Sequence, residues 1–171
     1  MFVPAPEEDK GGRIQMNEQE FQLQVREALE PHSAELTAVL RQLVAHTYPP
    51  EVASIDFEVF PDEFTSCFPV RAFFLDSAYT EVFLYEAGKA KYPSPVDPGL
   101  LSLEQVYSPA LEESMAAACP GIDYLTLAGL TLISWFGERW KEAGGLQFSR
   151  QARIALHDDR ESYDLVRQSW T

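Results

Sequence analysis

Cysteine, positive charge and long apolar runs are all scarce in this sequence, and each shortage removes a class of protein. Only Cys67 and Cys119 are present. Two thiols cannot build a disulfide scaffold or a four-thiolate zinc site. Free thiols in a reducing compartment are the expectation. One disulfide between them is the alternative, because spacing along a chain does not give separation in space. The longest nearly apolar run is Tyr124 to Phe136, broken by Thr126, Thr131 and Ser134. A membrane span needs roughly 20 such residues. The first residues, MFVPAPEEDKGGR, have neither the basic n-region nor the apolar h-region of a secretory signal. A soluble, cytoplasmic protein with no membrane partner is expected.

Positive charge is short by half. The chain holds 13 Lys and Arg against 27 Asp and Glu, a net charge of −14. The imbalance is segregated: residues 1–120 hold 20 acids against 7 bases, and residues 121–171 hold 7 against 6. Nucleic acid and anionic membranes are poor partners for such a surface. A basic protein is a good one. The densest excess is residues 51–120, with 12 acids against 3 bases.

Catalytic and cofactor motifs are missing too. There is no GxxxxGK[ST] or GxGxxG to cradle phosphate, no GxSxG nucleophile elbow, and no HExxH or HxxxH metal pair. No cofactor is expected.

What is there reads as an α+β domain over residues 16–171, preceded by an N-terminal arm over 1–15. Asn17 with Glu20 has the spacing of a capping box, and Phe21, Val25, Ala28 and Leu29 share one helical face. Leu36, Val39, Leu40, Leu43 and Val44 stripe a second helix, which should stop before Pro49-Pro50. Ile55, Phe57 and Val59 then alternate with Asp56 and Glu58, as in a half-buried strand. Val70, Ala72 and Phe74 continue the alternation, and Val82 and Leu84 follow a turn at Asp76–Tyr79. Residues 55–86 therefore predict a three-stranded antiparallel meander, with a short helical turn at 61–66 after Pro61. The stretch 87–99, with three prolines and two glycines, predicts a long connection. Ser102 with Gln105 predicts a helix start, restarted at Ser108-Pro109 and ended by Pro120. Asp123 caps the most apolar helix, which Gly144-Gly145 terminates with one glycine left-handed. Ile154 and Leu156, the turn His157–Ser162, and Tyr163 with Leu165 predict a closing hairpin. The expected order is ααβββααββ: about four helices against one antiparallel sheet of about five strands, the meander plus the hairpin.

Candidate sites follow from that frame. His157-Asp158-Asp159 is the one cluster of metal-ligand residue types, with His157 and Asp159 the nearest to ligands. Neighbouring strand residues point to opposite faces, so a polar turn is the expectation and no metal. Adjacent Asp62-Glu63 and Glu112-Glu113 suit helix first turns better than general acid–base work. Arg150, Arg153, Arg160 and Arg167 read as turn or cross-strand ion pairs with Asp158, Asp159, Glu161 and Asp164. Six of eleven phenylalanines fall between Phe57 and Phe74. Most must be core, but Phe64 after Asp62-Glu63 could stand as an apolar anchor on an acidic rim. Anchors supply affinity and charge supplies encounter rate. The expected contact set is Asp56, Glu58, Asp62, Glu63, Phe64 and Glu81.

The C-terminal third reads Trp135-Phe136, Trp140, Ala143-Gly144-Gly145, His157-Asp158-Asp159, Tyr163-Asp164-Leu165 and Trp170. It looks like the tail of small bacterial proteins, and the chain resembles in overall character the immunity proteins that neutralise bacterial toxins. That resemblance implies a cytoplasmic inhibitor whose acidic face covers a basic toxin. The expectation is a non-enzymatic protein-binding domain. The alternative is a hydrolase or small-ligand protein with a polar site near His157, Asp158 and Asp159. A third reading is a domain that oligomerises through Trp140, Tyr163 or Trp170.

Overall fold

The protein's computed structural model describes residues 16–82 and 99–171, and the backbone of residues 85–86 and 89–90. The expected arm at 1–15, the strand residues Phe83 and Leu84, and most of the 87–99 connection lie outside the described residues.

Local chemistry starts each helix where the sequence puts it. Helix α1, Glu18–Leu29, is capped by the Asn17 side chain, which accepts from the Glu20 amide at 2.9 Å. A single 3-10 turn at Glu30–His32 carries Pro31, and α2, Ser33–Ala45, follows at once. Strands β1, Ser54–Val59, and β2, Val70–Leu75, flank a 3-10 turn at Pro61–Glu63. The pair β3, Tyr85–Glu86, and β4, Lys89–Ala90, forms a separate two-stranded ribbon. Helix α3, Pro109–Ala118, opens on proline at its first position, where the missing N–H has no helical partner to lose. The helix expected from Ser102 does not form; residues 101–107 are irregular. Asp123 caps α4, Tyr124–Glu142, by accepting from the Thr126 amide at 3.0 Å. The chain leaves α4 through Gly144 at φ 88°, a left-handed conformation that costs glycine little. Strand β5, Gln151–Leu156, and two short strands, β6, Tyr163–Asp164, and β7, Ser169–Trp170, close the chain.

The result is an α+β domain with one five-stranded sheet in the order β2-β1-β5-β6-β7. One pairing corrects the sequence expectation. The sheet is mixed: β1 runs parallel to β5, with Asp56 beside Arg153 and Phe57 beside Ile154. Alternation identifies a strand but not its neighbour, and a parallel neighbour arrives only after a long crossover, here through α3 and α4. Of the third meander strand, the described residues show the bridge between Leu75 and Glu81 and the Val82 amide donating to the Phe74 carbonyl at 2.7 Å.

Burial follows the pleat. On β1, Ile55, Phe57 and Val59 are buried while Asp56 and Glu58 face out. The inner face packs on the helical layer, where α4 is the centre and lies against α1 and α2. Phe57 meets Phe136 and Trp140 with ring centroids 4.9 and 5.8 Å apart. Trp135, Trp140, Phe21 and Phe64 are among the largest fully buried side chains. Each contributes about 1.5–3 kcal/mol by removal from water. Among the described residues, no helix is long and apolar enough to cross a membrane.

Candidate functional site

The expected acidic face lies on the outer side of the sheet, but most of its charge is already matched. Asp56 accepts from Arg153 Nε at 2.6 Å and its side chain is only 13% exposed. Glu58 meets His157 Nδ1 at 2.8 Å. Glu63 meets Arg71 at 2.6 Å and also accepts from the Cys67 thiol at 3.4 Å. The hydrogen bond that Arg153 donates to Asp56 raises the Arg153 pKa above its usual value. The hydrogen bond to Glu58 likewise raises that of His157. Phe60 completes the cluster, stacked on His157 at 4.4 Å with the Arg71 guanidinium 4.1 Å from its ring centroid. Asp62 and Glu81 are exposed.

Phe64 is not an anchor. It is fully buried, stacked on Tyr107 at 5.1 Å, and its carbonyl accepts from Val106 at 2.7 Å. The turn at Pro61–Glu63 points Phe64 inward and leaves Asp62 outside. The proline, the acids and the aromatic are where the sequence puts them, but the direction of the turn is set by the sheet beneath.

The His157-Asp158-Asp159 cluster does not converge on one site, although His157 Nε2 stands 3.6 Å from Asp158. His157 turns to Glu58, while Asp159 accepts from the Arg160 amide at 2.6 Å and the Glu161 amide at 3.3 Å. Asp158 sits at φ 64° with its side chain 89% exposed. Among the described residues no three His, Cys, Asp or Glu side chains are placed to hold a metal ion. Both cysteines are free thiols. Burial and Glu63 push the Cys67 thiol upward, away from the thiolate that nucleophilic chemistry needs. The ion pairs expected within the C-terminal hairpin form only loosely. Arg153 goes to Asp56 on β1, and Arg167 stands 3.7 Å from Asp164.

A different surface among the described residues forms an open, largely apolar recess. A cleft of about 500 Å³ opens between the outer stripe of α4 and the β6–β7 hairpin. Leu130, Ile133 and Ser134 form one wall, and Tyr163, Gln168 and Trp170 the other. Leu130 is 37% exposed and Trp170 47%, while the Tyr163 and Trp170 rings meet edge to face at 5.5 Å. Gly137 permits this geometry, since a Cβ there would stand 3.1 Å from the Tyr163 ring. The hairpin tip is stiffened by Asp164, which accepts from the Val166 and Arg167 amides at 2.9 and 2.8 Å. Two carboxylates, Glu138 and Glu161, stand at the rim. Glu138 is ion-paired with Arg26 and Arg139.

Sequence reasoning missed this cleft because Leu130 belongs to a helix apolar almost all round, where pattern does not separate core from surface. Trp140, grouped with Trp170 by the sequence, is fully buried and takes no part. Comparison with family models, with curated proteins and with solved structures finds no match to this chain.

Proposed function

We propose that this chain is a non-enzymatic protein-binding domain whose docking surface is the cleft between α4 and the β6–β7 hairpin. The observation that carries the proposal is a half-exposed tryptophan and an exposed leucine facing one another across a 500 Å³ recess. Exposed aromatic and aliphatic anchors in a concave patch are the usual seat of binding energy. The occupant is a basic partner that inserts an apolar side chain between Leu130 and Trp170. Its Lys or Arg residues face Glu161 and the surplus acids of a chain carrying −14. In its narrower form the partner is a toxin and this chain its cytoplasmic immunity protein, as the sequence resemblance implies.

A random peptide library displayed against the immobilised chain tests the proposal. Enriched peptides should combine Lys or Arg with a large apolar residue. They should weaken as salt rises, since exposed charges are screened beyond about 8 Å at physiological ionic strength. Leu130→Ser with Trp170→Ser should cost at least about 2 kcal/mol, roughly thirtyfold in affinity. Enrichment of acidic peptides, or binding indifferent to the double substitution, would overturn it.

A further inference from the structure

The outer face of the sheet carries a second concavity of opposite character. Two polar grooves of about 320 and 340 Å³ adjoin along Ser149, Arg150 and Gln151, at the start of β5. The first takes in Arg153 and Arg167, and the second takes in Ser54, Ser77 and Tyr79. In a chain with 13 basic residues, three arginines therefore line one shared hollow.

Arg150 is the fixed point. Its Nε donates to the Val52 carbonyl at 2.8 Å and its Nη2 reaches the Tyr48 carbonyl at 3.5 Å. Its guanidinium stands 5.5 Å from the Tyr48 ring centroid. These contacts orient the group without neutralising it: among the described residues no carboxylate lies within 4 Å of it. A guanidinium carries five N–H donors, and two are committed here. The remaining donors belong to a half-buried side chain at the common wall of both grooves, where an unpaired charge is costly.

The nearby acids do not fill that role. Asp56 is held by Arg153. Asp164, which lines the first groove, turns Oδ1 back onto amides of its own turn and sets Oδ2 3.7 Å from the exposed Arg167, so Arg167 must swing off it to reach a ligand. Asp76 turns Oδ1 back onto amides of its own turn. Tyr79 adds an independent mark. It is an exposed aromatic residue at φ 61°, an unfavourable backbone state for a bulky side chain, of the kind that collects at ligand clamps. The Asp76 turn holds it there, with the Arg153 guanidinium 5.2 Å from its ring centroid, at the groove mouth.

We infer that this groove binds a compact oxyanion, the phosphate or carboxylate group of a small molecule, with Arg150 as its oriented cation and Arg167 closing over it. A planar donor fork matches such an anion. An extended polyanion is disfavoured by the field of the surrounding acids. The inference is independent of protein binding at the cleft, which lies on the helix side of the sheet.

Calorimetric titration of the full chain with sodium phosphate, and separately with sodium acetate, at constant ionic strength set by chloride, is the test. Saturable binding of either anion is expected, phosphate preference marking a tetrahedral ligand and acetate preference a carboxylate. Arg167→Gln, at an exposed position, and Arg150→Lys should each weaken binding about tenfold, and Arg41→Gln on α2 should leave it unchanged. Circular dichroism checks that Arg150→Lys still folds; if it does not, Arg167→Gln decides alone. Absence of saturable heat for both anions through the millimolar range, or equal affinity in wild type and Arg167→Gln, would overturn the inference.

Discussion

The acidic first 120 residues and the near-neutral last 51 exchange the roles that their composition assigns them. By charge, the meander should be the contact surface and the C-terminal third the scaffold. In the fold, three of the meander's acids are matched by cations, Asp56 by Arg153, Glu58 by His157 and Glu63 by Arg71, while Asp62 and Glu81 stay exposed. Two of those three cations come from β5 and the residue after it. The C-terminal third in turn supplies both walls of the apolar cleft and the three arginines of the polar groove. Charge counted along a chain is therefore not charge presented to a partner. The parallel pairing of β1 with β5 joins the two regions and cancels much of the difference between them.

The largest effect is expected at Phe64. If it belongs to the core, Phe64→Ala should destabilise the protein by about 3–5 kcal/mol, read as a fall in the urea midpoint. A change below about 0.5 kcal/mol would return it to the surface, and the meander to the role of contact face. A smaller effect is expected from the pair that joins the regions. A double-mutant cycle of Asp56→Asn with Arg153→Gln should give a coupling of about 0.5–1 kcal/mol, discounted because Arg153 is partly exposed. A coupling of zero would leave the Asp56 charge free for a partner.

The smallest effect concerns His157, and its sign is fixed by the direction of its shift. A folded-state pKa above the ordinary value means that the Glu58 contact favours the folded state while the imidazole is charged. That contribution is complete below the unfolded pKa and is lost as pH rises through the folded one. Proton NMR should therefore find His157 titrating above 6.5, and Glu58→Gln should bring it down. An unshifted His157 in the wild type would separate β5 from the acids of β1.

Several parts of the fold were legible because they are local. Asn17 and Asp123 cap the helices they precede, Pro109 opens α3, and Gly144 closes α4 in the left-handed region. Each depends on a side chain and an amide within a few residues. The Ser102–Gln105 pattern failed because a capping box has no force without an apolar stripe behind it. Phe64 failed for a related reason. A proline, two acids and an aromatic define a turn, but not which way it faces.

Short-range periodicity and composition alone set the α+β class, the caps of α1 and α4, the proline start of α3, the alternation of β1 and the total charge. The tertiary structure alone decided which charges meet, which of Trp140 and Trp170 is buried, and where the concavities lie. Those outcomes depend on groups about 100 residues apart, such as Asp56 and Arg153. The free energy that joins such groups comes from burying β1 and β5 together under α4. It is not a property of either segment alone.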